Sequence, residues 1–100
     1  MTLEQICSDV AEVAEKLIYG EISFTYDKLA SAMKLGHPGE ILDDIISIIG
    51  WDVLDGKEPP LENVKETLAG LEDFQRAYKV DLKKTIRNMK KYIAEKEKEE

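Results

Sequence analysis

The chain has 100 residues, of which 43% are apolar and 35% are charged, and its formal net charge is −7 at pH 7. This length fits one domain with one hydrophobic core, and the apolar fraction excludes a disordered chain. The apolar runs are too short to cross a bilayer, and the acidic opening Met1-Thr2-Leu3-Glu4 differs from a secretory leader. A single cysteine excludes an internal disulfide and a cysteine-clustered zinc site. We therefore expect a cytoplasmic protein without a membrane partner.

Charge is distributed unevenly along the sequence. Residues 1–60 contain four lysines and twelve carboxylates, whereas residues 61–100 contain ten basic and nine acidic residues. Between Arg76 and Lys91, seven basic side chains accompany one acid, Asp81. We therefore expect an acidic body, which repels nucleic acid and attracts basic protein surfaces, and a basic stretch near the end of the chain.

The first 60 residues predict a body of three helices. Apolar residues recur every three or four positions over 3–18, which predicts an amphipathic helix capped by Thr2 and ended by Gly20. Alternation over 21–24 predicts a short strand, and a second helix follows over 26–34. After a Gly/Pro turn at 36–39, a third helix is expected to run to Ile49 and to end at Gly50. Residues 51–58 are then expected to form a hairpin around Asp55-Gly56.

From Leu61 onward one apolar stripe continues without a change of phase. It favours a single helix over 61–96, although two helices that meet at 79–81 with Asp81 as a cap are also compatible with it. A single helix of that length would extend beyond the body at 1–58, so we expect a second copy to share the exposed stripe in a homodimer. The charged tail at 97–100 is expected to fray. The expected dimer stripe consists of Leu71, Phe74, Tyr78, Leu82, Ile86, Met89 and Ile93.

The order of these elements predicts a mainly α fold: a trihelical helix-turn-helix body, winged-helix-like with minimal β structure, followed by one long or two consecutive C-terminal helices. Residues 17–50 resemble the DNA-binding part of alkylguanine-DNA alkyltransferases and the alkyltransferase-like proteins. The resemblance is carried by Tyr19-Gly20, Thr25-Tyr26, Leu29-Ala30 and Gly36-His37-Pro38-Gly39.

The resemblance implies a winged helix in which Tyr26 matches the tyrosine that helps to extrude a damaged nucleotide. The family's intercalating arginine falls on Leu42 or Asp43 and is therefore missing. Its reactive Pro-Cys-His-Arg segment has no counterpart, since Cys7 belongs to the first helix and His37 to the turn. The sequence therefore excludes alkyl transfer.

Other residues that are capable of chemistry have structural interpretations. We expect Cys7 to be a small core side chain and His37 to be a solvated turn residue. Asp52, Asp55 and Glu58 lack the alternating acid spacing of a calcium loop and are expected to be hairpin charges. Adjacent helical carboxylates such as Asp43 and Asp44 point about 100° apart, so they cannot share a proton.

The residues therefore predict a non-enzymatic interaction module without a cofactor or a small-molecule substrate. The protein partner is expected to bind the acidic face of the third helix, formed by Glu40, Asp43 and Asp44. One alternative is a dimeric DNA-binding regulator, and another is a purely structural oligomerisation unit. In the regulator, phosphates or an acidic partner would contact a basic set that consists of Lys83, Lys84, Arg87, Lys90 and Lys91.

Overall fold

A computed structural model describes residues 2–22 and 37–99, which form four α-helices. They are α1 (Leu3–Ile18), α2 (Pro38–Leu54), α3 (Leu61–Tyr78) and α4 (Lys83–Glu99). The predicted mainly α fold is confirmed. The predicted helix at 26–34 and half of the predicted strand at 21–24 lie outside the described residues, so the helix-turn-helix arrangement stays a prediction. Within the described ranges, no helix combines the length and the apolar character that a membrane span needs.

Helix α1 has the boundaries that its sequence predicts. The Thr2 Oγ1 atom accepts a hydrogen bond from the Gln5 backbone N–H at 3.2 Å and so caps the first turn. At the other end, Gly20 has a φ of 74°, and the Glu21 N–H donates to the Lys16 carbonyl at 2.8 Å. This is a Schellman motif, which needs a left-handed residue at this position and therefore suits glycine.

Helix α2 is longer than predicted, because Gly50 does not end it. The helix begins at Pro38, with the His37 Nδ1 atom accepting from the Gly39 N–H at 3.1 Å, and continues to Leu54. The left-handed glycine is Gly56, with a φ of 73°, and the Lys57 N–H donates to the Asp52 carbonyl at 2.8 Å. The predicted hairpin at 51–58 is therefore wrong, since Asp55-Gly56 forms a second Schellman cap.

The C-terminal stripe belongs to two helices, which corrects the preference for one continuous helix. Lys79 adopts a left-handed conformation with a φ of 58° and ends α3. The Asp81 Oδ1 atom then accepts from the Lys83 N–H at 3.0 Å, so the alternative role of Asp81 as a cap is confirmed. Helix α4 continues to Glu99, so residues 97–99, which were expected to fray, are helical.

The break between α3 and α4 allows one chain to bury the stripe. Helix α1 packs on α2, α2 on α3, α3 on α4, and α4 on α1, so the four helices surround one core. The stripe is therefore not exposed as expected, whereas the homodimer stays a prediction. Each of the seven residues of the stripe is at most 7% exposed within a single chain: Leu71, Phe74, Tyr78, Leu82, Ile86, Met89 and Ile93.

The close packing of α1 on α2 depends on a glycine in the first turn of α2. A Cβ atom added at Gly39 would lie 2.5 Å from the Ile18 Cγ1 atom and 2.8 Å from the Ala14 carbonyl oxygen. Both distances are shorter than van der Waals contact, and one of the atoms is backbone. Gly50, in the same helix, has no atom within 4 Å of such a Cβ.

We expect Gly39→Ala to lower the free energy of unfolding by about 1–3 kcal/mol, because the methyl group forces α1 and α2 apart. Gly50→Ala is the matched control and is expected to raise it by about 0.5–1 kcal/mol, because alanine is the better helix former. Urea unfolding followed by circular dichroism measures both values. Changes of the same sign in the two variants would contradict this packing.

Candidate functional site

The three carboxylates of the predicted acidic face lie in the first two turns of α2. Glu40, Asp43 and Asp44 are all exposed, and none of them forms an ion pair within residues 2–22 and 37–99. Residues three and four apart are neighbours on a helix surface, so the three side chains occupy one side of α2. They are positioned there by the buried residues Leu42 and Ile46, which turn the opposite side of the helix towards the core.

Beside this face, the surfaces of α1 and α2 enclose a groove with a volume of about 480 Å³. Cys7 and Ala11 of α1 line one wall, and Ile46, Val53 and Leu54 of α2 line the other. Its remaining lining residues are Glu4, Ser8, Asp43, Ser47, Gly50 and Trp51. The groove is therefore apolar along its length and has carboxylates at its edges, and Asp43 belongs both to the groove and to the acidic face.

Two large apolar side chains beside the groove are exposed to solvent. Trp51 is 71% exposed and Leu54 is 79% exposed. Isolated apolar side chains are common on protein surfaces, but a contiguous apolar groove with carboxylates at its edge is typical of an interaction site. In this groove, charged and apolar side chains occur together.

The groove does not follow from the predicted elements, in which α2 ends at Gly50 and Trp51 and Leu54 belong to a hairpin. A signal was nevertheless present, since Ile46, Ile49 and Val53 continue the spacing of three and four residues beyond the glycine. A glycine inside a helix costs only about 1 kcal/mol, which tertiary packing overrides.

The only cysteine of the chain lies in the wall of the groove. Cys7 is half-buried, and burial raises the pKa of its thiol above the usual value. The thiolate is the reactive form of cysteine, so this shift makes the side chain a weaker nucleophile at neutral pH. Cys7 is therefore an apolar part of the groove wall, and its accessibility reports on the state of the groove.

The predicted basic set lies on the exposed side of α4. Lys83, Arg87 and Lys90, together with Arg76 of α3, line a cleft between the end of α3 and the start of α4. The Lys90 Nζ atom is 4.0 Å from a Glu72 carboxylate oxygen. The other four members of the set form no ion pair with any residue that the structure describes: Lys83, Lys84, Arg87 and Lys91.

The remaining candidate residues either have structural roles or lie outside the described residues. The Lys96 Nζ atom donates a hydrogen bond to the Glu58 Oε1 atom at 2.7 Å. This hydrogen bond lowers the pKa of Glu58 and attaches the link between α2 and α3 to α4. His37 caps α2 instead of being only a solvated turn residue. Tyr26 lies outside the described residues. The described part of the chain contains no group of three or more side chains suited to hold a metal ion.

Comparison of the chain with models of protein families, with characterised proteins and with solved structures finds no match. The resemblance of residues 17–50 to the alkyltransferases therefore stays a prediction.

We expect alkylation of Cys7 by iodoacetamide at pH 8 to be several times slower in the folded protein than in the same chain unfolded by urea. The raised pKa leaves less thiolate in the folded state, and the difference narrows as the pH rises above that pKa. Mass spectrometry follows the modified fraction with time. Alkylation that is equally fast in both states would show that the groove does not shield this thiol.

Proposed function

We propose that this protein is a non-enzymatic interaction module that binds a cationic surface of another protein through its acidic face (Glu40, Asp43 and Asp44). The observation that carries the proposal is that all three carboxylates are exposed and lack an ion-pair partner within the described residues. Glu58, by contrast, is paired with Lys96 at 2.7 Å. Within the described residues, the charges of the acidic face are therefore available to a partner.

The surroundings of the acidic face strengthen its field. Residues 2–22 and 37–60 carry eleven carboxylates and two lysines. Summed over one side of a small protein, this charge attracts a cationic partner over a distance set by the ionic strength, which is about 8–10 Å at physiological salt. Electrostatic complementarity of this kind raises association rates and selects partners by sign, so the partner is expected to be basic.

Nucleic-acid-binding proteins are one chemical class that offers such a surface. Their basic patches recognise rows of phosphates, and a row of exposed carboxylates presents the same sign of charge. We therefore propose a regulatory or inhibitory role in which the acidic face occupies a patch that otherwise contacts phosphates. This role needs no catalytic group, and Asp43 and Asp44 diverge too far to act as an acid/base pair.

A second candidate function is supported by the basic set on the exposed side of α4. Its members Lys83, Lys84, Arg87 and Lys91 form no ion pair within the described residues and provide what phosphate contacts require. The acidic surfaces of α1 and α2 oppose this function, since they repel a polyanion. We therefore place DNA or RNA binding second.

We expect the protein to bind some members of a panel of purified cationic DNA- and RNA-binding domains, with an affinity that falls as salt is added. The triple variant Glu40→Gln, Asp43→Asn, Asp44→Asn is expected to bind about tenfold more weakly, which corresponds to roughly 0.5 kcal/mol for each carboxylate. Isothermal titration calorimetry at two salt concentrations measures the effect.

The matched control removes the same number of charges from α3 and α4 through Glu62→Gln, Glu66→Gln and Glu95→Gln, three exposed residues. It is expected to bind nearly as tightly as the parent protein. Equal weakening in both triple variants, or no binding to any domain of the panel, would contradict the proposal. Salt-sensitive binding of duplex DNA that is lost in Lys84→Glu, Arg87→Glu would instead place nucleic-acid binding by the basic set of α4 first.

A further inference from the structure

The groove between α1 and α2 has the dimensions of a short helix. Its α1 wall extends from Glu4 to Ala11, and its α2 wall extends from Asp43 to Leu54. At 1.5 Å per residue, these walls are about 10 and 16 Å long, which matches two to three helical turns. A helix laid along the groove would place apolar side chains at positions i, i+4 and i+7 against it.

The walls also select the backbone conformation of the occupant. Both are α-helices, whose backbone hydrogen-bonding groups are used within each helix. The groove therefore offers no free strand edge to which an extended peptide could add. A helix satisfies its own backbone groups and needs only side-chain contacts, so the groove is suited to a helix.

The edges of the groove select the charge of the occupant. Glu4 and Asp43 lie at its edges, and none of its described lining residues is basic. Lysine or arginine side chains that flank an apolar stripe would meet these carboxylates, whereas acidic flanks would be repelled. The chemistry of the groove therefore matches a basic amphipathic helix.

Helix α4 of a second copy does not supply that helix. Among the four helices that the structure describes, α4 is the basic amphipathic one, but its apolar side chains Ile86, Met89 and Ile93 are at most 7% exposed in the core. Presenting them to another copy would require the core to open. We therefore assign the occupant to a segment of a different protein.

We propose that the groove between α1 and α2 binds a basic amphipathic helix of the partner protein, with its apolar side chains against Trp51 and Leu54 and its cations against Glu4 and Asp43. This inference rests on the proposed function, since Asp43 belongs to both surfaces. It adds that the partner contributes apolar anchors in a helix as well as positive charge. Tryptophan is enriched among energetically dominant interface positions, which fits the exposure of Trp51.

The groove contains its own reporters. Trp51 is the only tryptophan of the chain and Cys7 its only cysteine, and both residues line the groove. Burial of an indole ring shifts its fluorescence to shorter wavelength, and an occupant that covers the wall protects the thiol from alkylation. Both signals report on the groove. A ligand that contacts only the charges of the acidic face is expected to change neither the Trp51 fluorescence nor the rate of Cys7 alkylation.

The test uses a synthetic four-turn peptide with leucines on one helical face and lysines on the other. A scrambled peptide of identical composition is the control, since it keeps the charge and loses the apolar face. The amphipathic peptide is expected to shift Trp51 emission to shorter wavelength and to slow Cys7 alkylation. It is also expected to bind at least about tenfold more tightly than the scrambled peptide.

A pair of variants locates the binding. Leu54→Asn is expected to weaken binding of the amphipathic peptide by about tenfold, which is typical of an apolar interface anchor. Tyr19→Asn is the matched control, because Tyr19 is similarly exposed at 73% but lies at the other end of α1, outside the groove. Both side chains are exposed, so neither substitution disturbs the core. The Tyr19 variant is expected to bind like the parent protein.

The outcomes separate this inference from the proposed function. Equal binding of both peptides without a change at Trp51 or Cys7 would overturn the groove as a helix site and leave the acidic face as the binding surface. If neither peptide binds at millimolar concentration while cationic domains still bind, the groove would likewise be overturned as a helix site and the acidic face would stay the binding surface. Failure of the peptides and of the cationic domains would overturn both proposals.

Discussion

The structure depends on the reversal of the chain between Tyr78 and Lys83. Lys79 ends α3 in a left-handed conformation, and the Gln75 Oε1 atom accepts the Leu82 N–H at 2.6 Å. Val80 and Leu82, on either side of the exposed Asp81, are buried at 3% and 2% exposure. The link is thus anchored by apolar side chains and by side-chain caps, and it directs α4 back along α3 and α1.

This reversal decides which surfaces the protein offers to partners. Because the stripe of α3 and α4 is buried inside one chain, it is not a surface exposed to a second copy. Apolar surface that stays available includes Trp51 and Leu54, beside the groove between α1 and α2. The charges are separated as well, with carboxylates dominating α1 and α2 and the basic set lying on α4. Burial of the apolar stripe of α3 and α4 therefore leaves the groove between α1 and α2 as the candidate site.

The local pattern predicted the helices better than it predicted their ends. The boundaries of α1 followed from its periodicity and from a cap at each end. The break after α3 did not, because an apolar stripe keeps its phase across a short reversal, and Lys79 is not the glycine that usually marks a left-handed residue. Gly50 was expected to end α2 but lies inside it, whereas Gly56 was expected in a hairpin turn but forms the cap of α2. The sequence does not show which of the two glycines has a positive φ.

The candidate site was only partly visible in the sequence. The exposure of Glu40, Asp43 and Asp44 followed from their place on the polar side of α2. The groove beside them depends on two features of the tertiary structure. The first is that α2 continues to Leu54. The second is that α1 packs antiparallel beside α2, which brings Gly39 close to Ile18 and places Asp43 and Ala11 in the same groove. Packing between helices distant in sequence is not encoded in the periodicity of either one.

The most direct test is the distance between spin labels at positions 65 and 97, introduced by Lys65→Cys and Glu97→Cys in a Cys7→Ser background. The Lys65 Nζ atom and a Glu97 carboxylate oxygen lie 3.4 Å apart across α3 and α4. The fold-back therefore predicts a short distance that stays unchanged when the labelled protein is diluted with unlabelled chain. A distance of about 48 Å, which 32 residues span in one continuous helix, or a short distance that disappears on dilution would contradict the account.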